Sequence, residues 1–168
     1  IGDFTIAGGE ESTALGSDAD AFGEGALAIG ADASAASVNS TAIGRDISAT
    51  MDNALAIGSC ADLNNDGSTV LSTECTSASG ERSTAIGTAA KASGINAVAM
   101  GTDAEAIGQR SIALGLQSET QGGNSIAIGS LANANGAGAT AIGFRASAAG
   151  INSVAMGKDS TANGTSAY

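Results

Sequence analysis

The residues best equipped for chemistry in this chain are two cysteines, Cys60 and Cys75, and the acidic run between them, "DLNNDG" at 62–67. With no histidine and no Cys-x-x-Cys spacing, the cysteines do not read as a zinc site, which needs a set of nitrogen and sulfur ligands. They read as a disulfide that closes a small loop and fits an oxidising compartment, with two free buried thiols as the alternative. In the run, Asp62, Asn64 and Asp66 present alternating oxygens ahead of a turn at Gly67, the opening half of an EF-hand-like loop. The twelfth position, where such a loop needs a bidentate acid, is Thr73, and Glu74 comes one residue late. Ca²⁺ held by Asp62, Asn64, Asp66 and Glu74 therefore competes with an ordinary solvated turn, and no other cofactor is implied. Catalysis finds no support. Without His, a Ser or Cys nucleophile lacks its usual base, and no Gly-rich loop follows a strand and opens a helix as phosphate binding requires.

The elements that would hold these residues follow a ruler. Ala-x-Gly recurs with its glycine at 16, 30, 44 and 58, then at 87, 101, 115, 129, 143 and 157, every step fourteen except one of twenty-nine. The chain is a tandem array, and both of its ends fall inside a repeat, as expected of a segment of a longer protein. Both cysteines lie in the long step. Deleting 60–74 restores a regular repeat, so 60–75 is either an inserted loop with its ends tied or, if Val70-Leu71-Ser72 is a degenerate anchor, a worn coil. Either geometry brings Cys60 and Cys75 into disulfide reach.

Within a repeat, aliphatics stand one before the glycine (Leu15, Ile29, Met100, Ile128) and alternate with Thr or aliphatics three before it (Thr13, Leu27, Val98, Ile126). Residues two apart share a strand face. Three and five after the glycine, small residues alternate again, as in Ala33 and Ala35 or Ala104 and Ala106. Each repeat thus holds two short strands, parted by a second glycine in most copies and by an Asn that tolerates the left-handed conformation (Asn39, Asn53, Asn96, Asn124, Asn152). A helical solenoid would sacrifice about 2 kcal/mol per repeat to its two glycines. The pattern predicts an all-β solenoid, one flat coil per fourteen residues, with residues 1–168 as a single domain. Three Phe, one Tyr and no Trp exclude a conventional core, so the aliphatics are expected to fill the slot between two sheets against columns of Ala. On that reading the alanines between the aliphatics face away from the slot. These are Ala14, Ala28, Ala42, Ala56, Ala85, Ala99, Ala113, Ala127, Ala141 and Ala155, and their uniformity predicts a covered surface, most simply one packed on a sister chain.

The strings "NSTAIG" (39–44), "NALAIG" (53–58), "NAVAMG" (96–101), "NSIAIG" (124–129) and "NSVAMG" (152–157), on this period, resemble the head repeats of trimeric autotransporter adhesins of the YadA type. The resemblance covers nearly the whole chain. It implies a left-handed parallel β-roll (β-solenoid) of 14-residue coils, assembled as a homotrimer. It also implies a place at the outer end of a fibre on a Gram-negative cell surface, anchored in the outer membrane through a C-terminal region not included here, and adhesion to host extracellular matrix such as collagen or to other surfaces. In the family, repeats of this kind are linked to collagen-like ligands, which carries over here to Asn124 and Ser125, and to Asn152 and Ser153. The strand reading puts Ile126, Ile128, Val154 and Met156 inside the slot and favours Asn, Ser and outward residues such as Lys91, Ser93, Glu105, Ser147 and Thr161 as contacts.

Seventeen acids against six bases give a net charge of −11, which excludes nucleic acid as a partner. No apolar run is long enough to span a membrane, so this segment is expected to make no membrane contact. Asp18, Asp32, Asp46, Asp103 and Asp159 share one column two after the glycine, read as a solvated edge that resists aggregation. A structural spacer without its own ligand is the alternative to an adhesive head. An ice-binding solenoid is disfavoured, because the Thr column is interrupted by Leu, Ile and Val.

Overall fold

The computed structural model describes residues 1–61 and 74–168. Strands are numbered in chain order from β1 (Ile6–Ala7) to β21 (Thr161–Ala162). Odd-numbered strands form one parallel sheet of eleven and even-numbered strands a second of ten, each strand pairing with the next but one. That alternation is a solenoid. The chain crosses one sheet, turns, crosses the other, and returns one rung higher. Each rung advances about 4.8 Å, so the body is roughly 50 Å long. Register is uniform: Val98 lies opposite Ile112, Ala99 opposite Ala113 and Met100 opposite Leu114, each to its equivalent in the next coil.

The turns explain the polar columns. Asn39, Asn53, Asn96, Asn124 and Asn152 have φ between 54° and 58°, as the sequence predicts for that column. The Asp column adopts the same left-handed conformation, with φ 53° to 56° from Asp18 to Asp159, so its composition reflects backbone geometry as well as solvation. The two glycine columns serve different ends. At Gly30 (φ 130°) any side chain would be strained and its Cβ would strike the carbonyl of Gly44 in the next coil. At Gly94 the objection is steric alone, because a Cβ would meet the carbonyl of Gly108. Glycine thus permits coils to approach, beyond merely turning the chain.

The faces of the strands are the reverse of the sequence expectation. The alanines between the aliphatics, from Ala14 to Ala155, point inward and are buried by the chain itself, Ala99 and Ala127 completely. Those of the other sheet, such as Ala33, Ala35, Ala104 and Ala106, are equally buried and face them. The flanking aliphatics point outward: Leu15 is 45% exposed, Met100 41% and Met156 67%. Ile126, Ile128, Val154 and Met156 therefore lie outside the slot, and none of the ten alanines is available to contact a sister chain. Alternation was correctly predicted, but its inner side was assigned by hydrophobicity where volume decides. Strands of two to five residues, closed by tight turns on both sides, leave room between the sheets for methyl and hydroxymethyl groups. Interiors are packed densely enough that a branched side chain in every coil would force the sheets apart. The interior serines close locally: Ser125 Oγ donates to the Gly122 carbonyl at 2.6 Å and Ser153 Oγ to that of Gly150 at 2.7 Å.

At the long step, β8 (Leu55–Ser59) is hydrogen-bonded directly to β10 (Thr84–Thr88), with Leu55 opposite Thr84 and Ser59 opposite Thr88. In the other sheet β7 (Ser48–Ala49) pairs with β9 (Ser77–Ala78). In both sheets the described rungs on either side of the long step therefore stack directly on one another.

Candidate functional surface

Because the slot holds the small residues, the chemistry of the molecule is written on its two outer faces. On the ten-stranded sheet, the outward residues of successive coils read Leu27 and Ile29, Thr41 and Ile43, Leu55 and Ile57, Thr84 and Ile86, Val98 and Met100, Ile112 and Leu114. This is a continuous aliphatic surface, half-exposed along its whole length. An apolar face of this extent on one side of a rigid body marks an interaction surface. Across the slot, the first outward column of the eleven-stranded sheet reads Ser77, Lys91, Glu105, Glu119, Asn133, Ser147 and Thr161. Asn133 Nδ2 donates along the ladder to Glu119 Oε2 at 3.0 Å, and within one coil Gln121 Nε2 donates to Glu119 Oε1. Lys91 stacks on Glu105, and Glu105 on Glu119.

Of the residues predicted to meet a ligand, Asn124 and Asn152 are exposed at turns, whereas Ser125 and Ser153 are fully buried and cannot reach one. Their inward position follows from the same inversion of faces. Lys91, Ser93, Glu105, Ser147 and Thr161 are partly or fully exposed on the polar sheet. The sequence reading missed the aliphatic columns as a surface. Their tolerance of Thr, Val, Leu, Ile and Met was the available signal, since a column that accepts such different volumes is not confined.

Cys60 and Cys75 are joined in a disulfide, with Cα atoms 3.8 Å apart. Cys60 Sγ packs 3.3 Å from the carbonyl oxygen of Asp46; as a disulfide sulfur it has no proton to donate. The backbone amide of Ala61 donates to the Glu74 carbonyl at 2.9 Å, so the two arms meet again beyond the bridge. Of the four oxygen donors considered for Ca²⁺, Asp62, Asn64 and Asp66 lie outside the described residues. Glu74 is 3% exposed. Among the described residues no group of three or more His, Cys, Asp or Glu is placed to hold a metal ion.

Exposed charges pair within a turn and between neighbouring coils, as where Arg145 Nε lies 3.7 Å from Asp159. Arg45 Nε meets Asp46 at 3.1 Å, Arg82 meets Glu81 at 2.6 Å, and Arg145 and Lys158 each lie 6.0 Å from the ring centre of Phe144. Solvent-exposed pairs of this kind contribute about 0–1 kcal/mol.

The model of the YadA head domain repeat matches residues 1–19, 7–33, 21–46, 78–104, 106–132, 121–146, 134–160 and 148–167. The matches cover coils on both sides of the long step and leave out 47–77, 105 and 168. No curated protein matches the chain significantly. The period, the two-sheet coil and the family match agree: the chain belongs to the YadA head domain repeat family, whose β-solenoids are adhesin-type segments of extracellular surface fibres.

Proposed function

We propose that this chain is the adhesive head of a trimeric surface fibre, in which three copies bury their aliphatic faces against one another and turn their polar faces to the surroundings. The observation that carries the reading is the continuous outward row of Ile, Leu and Met on the ten-stranded sheet, beside a second face whose first outward column is polar. Burying an Ile or Leu side chain contributes about 1.5–3 kcal/mol, so a row repeated in every coil supplies ample driving force for association. It also accounts for the covered surface that the alanines were expected to provide. The polar face, presented three times and repeated along the axis, suits weak contacts multiplied by valency. Its ligand is proposed to be an extracellular matrix protein such as collagen or another host surface, met by side chains such as Asn124, Asn152, Lys91 and Glu105. Anchorage in the outer membrane of a bacterial cell belongs to the same proposal.

Sedimentation velocity on the chain should give a single species of three times the monomer mass. The trimer should then be retained on at least one of immobilised collagen, fibronectin, laminin and a glycan array. Retention on none of them, by a chain whose longer parent does bind, would make this segment a spacer.

A further inference from the structure

Beside the disulfide, on the polar sheet, lies an open cavity of about 290 Å³. We infer that it is a binding site for a saccharide ring, so that the head carries a discrete glycan site in addition to its repeated polar surface. Its hydroxyls come from one column in three consecutive rungs, Ser34, Ser48 and Ser77, brought together because the register skips the interruption. Ser48 Oγ donates to Ser77 Oγ at 3.3 Å, and each of the three is only half-buried. Asp32 and Asp46, stacked at the adjoining left-handed turn, supply carboxylate acceptors. Among the described residues the rest of the lining is Ile47 and Cys75, both buried beneath the polar groups. Ile47 is the largest fully buried side chain among the described residues and stands in a column that is otherwise Ala, Ser or Thr.

This lining selects its ligand by chemistry. Among the described residues no cationic side chain lines the cavity, and the nearby Arg45 is already paired with Asp46, which disfavours an anion. The hydroxyls both donate and accept, and the carboxylates take two donors each at the higher strength of charged hydrogen bonds. A pyranose offers that pattern, with a rim of hydroxyls that both donate and accept. The volume falls at the lower end of small-molecule sites, enough for a ring and not for a long chain. Asp46 already meets Arg45, yet that pair is exposed, its Asp side chain 29% and its Arg side chain 69%, and a ligand hydroxyl can share the carboxylate. The cavity lies on the face that stays open when the aliphatic sheets are covered, so three copies would act together; in that respect the inference rests on the proposed trimer.

The test is saturation-transfer NMR on the intact, oxidised chain, with the methyl glycosides of glucose, galactose, mannose and N-acetylglucosamine as probes. At least one should receive saturation. Asp46→Asn, which keeps a residue suited to the left-handed turn, and Ser48→Val, which keeps a strand former, should each weaken it by about tenfold. Asp103→Asn, in the same turn column of an uninterrupted coil, should leave it within about twofold. Amide shifts in the wild-type chain should move at Ser34, Asp46, Ser48 and Ser77, a readout that does not depend on any variant folding. Transfer to none of the probes, equal loss in Asp103→Asn, or shifts spread evenly along the ladder would overturn the site. Transfer to no probe by a chain that still binds matrix would overturn the site while leaving the adhesive head standing.

Discussion

In one coil, Val98 and Met100 project from the ten-stranded sheet and Glu105 from the eleven-stranded one, yet the alanines behind them, Ala99, Ala104 and Ala106, are alike buried in the same slot. The two faces share a backbone, a pitch and an interior, and differ only in what is displayed. Fold and display are thereby decoupled. The fold needs small residues inside and left-handed residues at the turns, and places almost no demand on the outward columns. The difference between the faces therefore reports what each one meets.

The sharpest way to break the comparison is to charge the aliphatic face. Val98→Lys with Ile112→Lys puts stacked ammonium groups in the proposed interface, where an uncompensated buried charge costs about 3–5 kcal/mol. Sedimentation should show monomer with an unchanged β-sheet circular dichroism spectrum; a trimer that persists would mean that face is not the contact. Slightly smaller in size but different in kind is Ala99→Leu, which overfills the slot. Chemical denaturation should register a loss of about 3 kcal/mol, affecting the fold itself and not merely association. Replacing Cys60 and Cys75 together by Ser should lower stability by about 2–3 kcal/mol, read from thermal unfolding, since their loop is short. The effect belongs to neither face, so oligomeric state should not change. At the small end, Glu105→Gln relieves repulsion from Glu119 but loses its neighbour Lys91. It should shift stability by no more than about 0.5 kcal/mol, as an open surface allows.

Much of the architecture was legible in the sequence because a solenoid repeats its constraints. The period placed the rungs outside the long step, the second glycine parted the strands, and Asn96 or Asn124 marked turns that the backbone confirms at φ 56° and 58°. Which face was inner was not legible from hydropathy. Val98 and Met100 are more hydrophobic than Ala99, and in a thick core they would be the ones inside. Here the sheets lie too close, and the informative property was the fixed volume of the column that holds Ala99, Ala113 and Ala127. The same error misplaced Ser125 and Ser153, which look like contacts in a linear motif and are interior hydroxyls in the coil. The cavity beside Cys75 was not legible, because the sequence left open whether the interruption separates Ser48 from Ser77 or lets them stack.

The ladder also closes across the interruption with no change in register, β8 meeting β10 as if the intervening residues were absent. A rung therefore tolerates extra chain at this corner without disturbing its neighbours. Evolution, or an engineer, can graft cargo there, or lengthen the rod by whole windings, while every other residue keeps its place.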